Sequence, residues 1–249
     1  MTRTNSVSGT REPGLLRALS SKARALARET IWYLVHKVTG SSYLDYYARR
    51  MDRIVSRNPD WGLSIDRRYQ LQYLLSHGLT PSMTVLDYGC GALAAGVLFI
   101  EHLDPSRYYG VDISSKALEE GRNRIREHGL EEKHPRLIHL TAISLEGLKG
   151  VHFDVIWAQS VFTHMPPADI RAALTEFRKL MGRECRLYAT YAWSPNRHVQ
   201  KRYKDWYYNF AYFSDLARDV GFVVEEMTDW QHPADPACVD RMLRFRITA

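Results

Sequence analysis

The chain has 249 residues, 45% of them hydrophobic, and a formal net charge of +6. That length fits one large domain, or one domain with an appendage, and the apolar share suffices for a sizeable core. The mild basic excess is too small to demand nucleic acid. Three cysteines, Cys90, Cys185 and Cys238, are too few and too scattered for a disulfide framework or a zinc site. The opening residues lack the apolar stretch of a secretory signal, and no apolar run reaches bilayer-spanning length. A reducing, cytoplasmic setting is expected.

Residues 1–14 are rich in Ser, Thr, Arg and Gly and are expected to be disordered. From Leu15 to Val38 an irregular apolar stripe (Leu15, Leu19, Leu26, Ile31, Leu34, Val38) alternates with Arg17, Lys22, Arg24, Arg28 and Lys37. This pattern predicts a basic amphipathic helix that either packs on the domain as a lid or lies on a membrane or partner. Further helices are predicted over 43–56, with Tyr43, Tyr46 and Tyr47, and over 65–77, ended by Gly78. Residues 15–78 thus form a helical extension ahead of a domain at 79–249.

In that domain strand and helix alternate. Strands are predicted at 84–87, 108–112, 136–140, 153–158, 186–191, 222–227 and 242–247. Helices are predicted at 92–102, 116–128 with Ser114 or Ser115 as N-cap, 167–180 entered through two prolines, and 213–220 closed by Gly221. The alternation implies a Rossmann-like, doubly wound α/β fold, with a mostly parallel seven-stranded sheet and an antiparallel last strand. An aromatic, basic insertion occupies about 192–212.

The chemistry concentrates where strands end. Residues 85–91 read Val-Leu-Asp-Tyr-Gly-Cys-Gly, and 109–112 read Tyr-Gly-Val-Asp. A glycine-bearing turn followed about 20 residues later by an acid is the arrangement that holds an adenosine ribose. Gly89 and Gly91 let a ligand approach bare backbone, and Asp112 can accept hydrogen bonds from two vicinal hydroxyls. Dinucleotide enzymes share these features. Asp87, two residues before Gly89, separates the readings. A carboxylate there repels a pyrophosphate and attracts a ligand carrying an α-ammonium and a sulfonium, unless it serves only its own turn.

These segments, followed by Phe-Asp-Val-Ile-Trp-Ala-Gln-Ser-Val-Phe-Thr-His-Met at 153–165, resemble the class I S-adenosylmethionine-dependent methyltransferases from about Leu79 to the C-terminus. The resemblance implies S-adenosyl-L-methionine as cofactor. Asp87 would help place its methionine end, with Tyr88, Gly89, Cys90 and Gly91 forming the loop beneath it. Asp112 would hold the ribose and Ile113 would flank the adenine. Gln159 and Ser160 would face the methionine moiety. The chain departs from the family pattern in two relevant places. Leu93 stands where a third glycine is common. The acid or amide after the third strand is missing, which would leave adenine to backbone near Ala142 and to Ile143.

Methyl transfer from a sulfonium draws much of its acceleration from alignment and needs no protein nucleophile. An oxygen acceptor needs a base, and His164 is the candidate; its other reading is a turn-shaping hydrogen bond ahead of the two prolines. Trp193, Tyr207 and Tyr208 in the insertion are candidates for acceptor contact or for packing. No Asn-Pro-Pro-Tyr or Asp-Pro-Pro-Tyr follows the fourth strand, against methylation of DNA bases and glutamine amides, and no His/Asp/Glu cluster suggests a metal. The expected acceptor is a small molecule, methylated at oxygen or nitrogen. A nicotinamide-dependent oxidoreductase and a non-catalytic cofactor-binding or scaffold protein are the competing readings; the oligomeric state is left open.

Overall fold

The structure is a computed structural model that describes residues 21–60, 62, 65–201, 203–233 and 239–248. Expectations for residues 1–14, and for the start of the first helix at Leu15, lie outside them. The described residues fall into two compact units, one ending at Ser42 and one starting at Tyr43. In the first, helix α1 (Ser21–Thr39) ends at Gly40, whose φ of +65° cannot continue a right-handed helix. Ile31, Leu34, Val35 and Val38 are exposed on it.

The second unit begins with helices α2 (Tyr43–Arg57) and α3 (Arg68–Ser76). Then come β1 (Val85–Tyr88), α4 (Gly96–His102), β2 (Tyr108–Asp112), α5 (Ser115–Glu127), β3 (Arg136–His139), β4 (Phe153–Ala158) and α6 (Pro167–Leu180). After these come β5 (Met181–Trp193), β6 (His198–Lys201), β7 (Asp205–Tyr208), α7 (Phe210–Val220), β8 (Phe222–Met227) and β9 (Asp240–Ile247). The compact unit starts at Tyr43, so α2 and α3 belong with the sheet rather than with α1.

Strands run β3-β2-β1-β4-β5, all parallel, with β9 antiparallel to β5 and β8 antiparallel to β9. The seven expected strands are these. Strand order reverses between β1 and β4, and a crevice opens beyond their carboxyl ends. Both faces of the sheet are covered, so β1 is buried at every residue rather than alternating. Leu86 and Ile156 join Ile170, Leu174 and Phe177 of α6 in one apolar cluster. Val85, Val155 and Trp157 join Tyr73 and Leu74 of α3, Phe99 of α4 and Leu118 of α5 in another.

Local chemistry sets the element ends. Ser114 Oγ accepts from the Ala117 amide at 3.1 Å, and Asn209 Oδ1 accepts from the Tyr212 amide at 2.9 Å, so each caps a helix. Asn209 starts α7 at Phe210, three residues before the expected start. Pro167 occupies the first turn of α6, where a missing N–H costs nothing.

Two regions differ from expectation. The helix expected from Ala92 starts only at Gly96, because Leu93 sits at φ +61°, a left-handed conformation that breaks helical continuity. Leu93 is fully buried, and its neighbours make room for it. A Cβ on Gly96 would lie 2.6 Å from Leu93 Cδ2, and one on Gly121 would lie 3.0 Å from Leu93 Cγ. The side chain that replaces the usual third glycine is therefore housed by glycines in α4 and α5. The second difference is the insertion: it forms the β6–β7 hairpin, with β7 joining the end of β5 in parallel. His-Val-Gln-Lys in β6 is too polar to signal a strand.

Candidate active site

Beyond β1, Gly89 and Gly91 take φ of +78° and +55°, a region that favours glycine. They serve differently. A Cβ on Gly89 would collide with Val161 Cγ2 at 2.5 Å, whereas nothing lies within 4 Å of one on Gly91. Gly89 is required by packing, and Gly91 leaves open backbone. The Gly91 amide donates to Asp112 Oδ2 at 2.8 Å, and the Ser114 amide donates to Oδ1 at 2.7 Å. Asp112 thus ties the glycine loop to the end of β2, and each oxygen retains lone-pair capacity for a ligand hydroxyl. Burial pushes this carboxyl up, against the amides of Ser114, Gly91 and Ile113 and aided by the charge of Asp52.

Asp87 is buried and accepts from Tyr108 Oη at 2.7 Å. Burial pushes its carboxyl up to about 7; the Tyr108 hydrogen bond opposes this and the Asp112 charge adds to it. Such a group gains from a cationic partner.

A cavity of about 320 Å³ opens over these strand ends, within the size range of small-molecule sites. Asp87, Tyr88, Gly89, Cys90, Gly91, Asp112, Ile113, Gln159, Ser160 and His164 all line it. Ala142 and Ile143 are not among its lining residues. Strand β3 stops at His139 and the chain turns away, leaving Ala142 exposed and Ile143 against the core; Leu140 takes the lining position. Trp193, Tyr207 and Tyr208 are absent from the lining as well, because they build the β5–β7 junction. Tyr208 is fully buried and donates through Oη to the Met165 carbonyl at 2.5 Å. Lys201 Nζ lies 4.0 Å from the Tyr207 ring, and the Arg241 guanidinium 4.7 Å from that of Trp193.

The two helices expected over 43–56 and 65–77 close the cavity, with lining residues that the sequence did not single out beyond the tyrosines. Tyr43, Tyr47, Met51 and Val55 of α2 line it, as do Arg67 and Gln70 at the start of α3. Helix α2 is held at both ends. Asp52 Oδ1 accepts from Ser114 Oγ at 2.7 Å and from the Lys116 amide at 3.1 Å, while Tyr43 Oη donates to the Lys204 carbonyl at 3.2 Å. On the other side a relay of side chains orders the end of β4. Trp157 Nε1 donates to Gln70 Oε1 (3.0 Å), Gln70 Nε2 to Gln159 Oε1 (3.3 Å), and Gln159 Nε2 to Ser160 Oγ (2.8 Å).

His164 has an unforeseen partner from the inserted hairpin. Its Nδ1 lies 3.2 Å from Asp205 Oδ1 and 3.3 Å from the Lys204 carbonyl oxygen. Both neighbours are acceptors, so Nδ1 carries a proton, and in the neutral imidazole the lone pair is on Nε2. Lys204 Nζ in turn holds Asp205 at 2.6 and 2.7 Å. Burial pushes the Asp205 carboxyl up, but hydrogen bonds from His164 and Lys204 outweigh it and hold the group below the usual carboxylate range. The Tyr47 ring stacks on the imidazole, 5.1 Å between centroids at 24°.

Residues 86–187 match the family model described as a methyltransferase domain. The chain therefore carries a methyltransferase domain. The chain shares its fold with several solved structures. Magnesium protoporphyrin IX methyltransferase from Synechocystis PCC 6803, solved with bound S-adenosylmethionine, is 20% identical, with 74% of this chain and 80% of that one covered and a TM-score of 0.55. An S-adenosylmethionine-dependent methyltransferase from Clostridium acetobutylicum ATCC 824 is 11% identical over 82% of this chain and 99% of that one, with a TM-score of 0.57. A putative O-methyltransferase from Nostoc punctiforme PCC 73102 is 16% identical over 73% and 56%, with a TM-score of 0.55.

The cavity has the features that S-adenosyl-L-methionine would need: a buried acid that seeks a cation, open backbone at Gly91 and a carboxylate at the end of β2. Tyr43, Tyr47, Arg67 and Asp205 lie outside the matched stretch. No helix among the described residues is long and apolar enough to cross a membrane.

Proposed function

We propose that the enzyme methylates an oxygen atom of a small-molecule acceptor, with His164 as general base. The observation that carries this reading is the His164–Asp205 pair at the cavity wall. A histidine with its Nδ1 proton fixed by a carboxylate and a carbonyl presents a basic Nε2, which a hydroxyl acceptor requires and a neutral amine does not. The covering helix α2 supports a small acceptor over a macromolecule.

The cofactor supplies an electrophilic methyl group on a sulfonium. On this reading Asp87 pairs with its α-ammonium and Arg67 with its carboxylate. Both line the end of the cavity near Gln70, whose neighbour Trp157 is paired with Asp87 across the sheet. The opposite charges of Asp87 and Arg67 match an amino-acid zwitterion. Gly89, Cys90 and Gly91 carry the chain beneath it, with Tyr88, Gln159 and Ser160 alongside. Asp112 accepts the ribose hydroxyls, and Ile113 and Leu140 offer the apolar walls for adenine in place of Ala142 and Ile143. His164 Nε2 takes the acceptor hydroxyl proton, and Asp205 stabilises the imidazolium that results. Helix α2 excludes water above the reacting atoms. Residues 43–249 form the catalytic body, and α1 is an appendage to it.

Isothermal titration tests the cofactor site. The full chain should bind S-adenosylhomocysteine and show no heat with NADH; binding of NADH alone would overturn the reading.

A further inference from the structure

We propose that the acceptor half of the cavity selects a flat, aromatic small molecule carrying a protonated amine, with Asp169 as the counter-ion. This rests on the methyltransferase reading above and narrows its acceptor.

The first support is a carboxylate without a partner. Asp169 stands in the first turn of α6 and lines the cavity. The other acids of the site are engaged: Asp87 by Tyr108, Asp112 by backbone amides, Asp205 by His164 and Lys204. Among the described residues, no side-chain hydrogen bond or ion pair is made by the Asp169 carboxylate. Burial pushes this carboxyl up, the direction expected of a desolvated acid with no compensating cation. The start of α6 favours a negative charge electrostatically, but that explains tolerance and leaves the orientation toward the cavity without a use.

The second support is the surrounding chemistry. Tyr43 and Tyr47 lie roughly parallel, 6.3 Å between centroids at 15°, and Tyr47 continues the stack onto His164. Tyr88 also lines the cavity. Aromatic faces with one carboxylate are the surroundings that recognise an ammonium. Arg67 is the one arginine or lysine among the described lining residues; Nε and Nη2 donate to the Gly62 carbonyl at 3.2 and 3.0 Å and Nη1 to Tyr69 Oη at 3.3 Å, and on the reading above its charge answers the cofactor's carboxylate. An anionic acceptor would therefore meet Asp169 uncompensated.

The test uses the full chain saturated with S-adenosylhomocysteine and a matched pair of probes, tyramine and 4-ethylphenol, which differ only by the amine. Titration should show tyramine binding at least about tenfold more tightly, as an ammonium held by a carboxylate and aromatic faces requires. In Asp169→Asn the preference should collapse to within about twofold through loss of tyramine affinity, while Asp169→Glu should retain most of it. Continued binding of S-adenosylhomocysteine by each variant shows that the cavity has formed. Equal binding of the two probes by the wild type, no binding of tyramine, or a preference that survives in Asp169→Asn would overturn the proposal. So would a variant that loses affinity for S-adenosylmethionine relative to neutral-sulfur S-adenosylhomocysteine, because Asp169 would then serve the sulfonium. Failure of the wild type to bind S-adenosylhomocysteine at all would instead remove the methyltransferase reading on which the proposal stands.

Discussion

Replacing Asp87 by Asn is expected to weaken S-adenosylhomocysteine binding by about 30- to 1,000-fold, the cost of removing one partner of a buried charge pair, while making the protein more stable at pH 8. The two effects have one cause. Asp87 is buried, and its carboxyl is pushed from its ordinary value of 3.8 up to about 7. The unfolded chain releases this proton near 3.8 and the folded chain only near 7, so stability falls as pH rises between those values. Above pH 7 the buried charge destabilises the empty enzyme in full, on the order of 2–4 kcal/mol. Asn removes that charge and can still accept from Tyr108 Oη. Thermal melts at pH 8 should therefore show Asp87→Asn melting above the wild type, and melts near pH 4 should bring the two together. Ligand binding has the opposite sign. An α-ammonium favours the ionised carboxylate, so wild-type affinity should be full above about pH 7 and fall by up to about tenfold per unit below it. The Asn variant should lack this dependence. A variant that binds normally, or melts lower at pH 8, would contradict the assignment.

Replacing His164 by Gln is expected to lower kcat by about 10²- to 10⁴-fold for an oxygen acceptor, the usual contribution of a general base, with S-adenosylhomocysteine affinity within about threefold of wild type. Asp205→Asn tests the pair rather than the histidine alone. The carboxylate fixes the proton on Nδ1, whereas an asparagine amide can offer its own N–H there and stabilise the other tautomer. Its kcat should fall by about 10- to 100-fold with the acceptor KM little changed. Single-turnover transfer from labelled cofactor measures both. An unchanged rate in His164→Gln would show that the acceptor needs no base, as a neutral amine does not.

The legible part of this site is the part written locally. Asp87, Gly89, Gly91 and Asp112 occupy two neighbouring strand ends, and their residue types state their constraints: positive φ at the glycines, a carboxylate where a backbone loop must be tied. Ser114 and Pro167 were readable for the same reason, because capping acts within one turn. What stayed hidden depends on distant chain segments meeting. His164 and Asp205 come together only because a polar hairpin, unrecognisable by strand propensity, adds β7 to the end of β5. Gln70 reaches Trp157 across 87 residues. Leu140 displaces Ala142 and Ile143 from the cavity because β3 ends one residue earlier than its hydrophobic pattern suggests. The aromatic residues of the insertion were read by composition, and composition does not distinguish a ring facing a ligand from Tyr208, which is buried in the core. Leu93 shows the converse limit. Leu93 departs from the glycine pattern, yet the structure keeps the left-handed backbone there and accommodates the side chain beside Gly96 and Gly121.

The most direct test of the function is transfer itself. The full chain would be incubated with methyl-labelled S-adenosylmethionine and a metabolite extract, and the labelled small molecules would be resolved by mass spectrometry and nuclear magnetic resonance. Label attached to oxygen in a small-molecule product, and lost in His164→Gln, is the result expected. Label on nitrogen, carbon or sulfur, or binding of the cofactor without any transfer, would contradict the account.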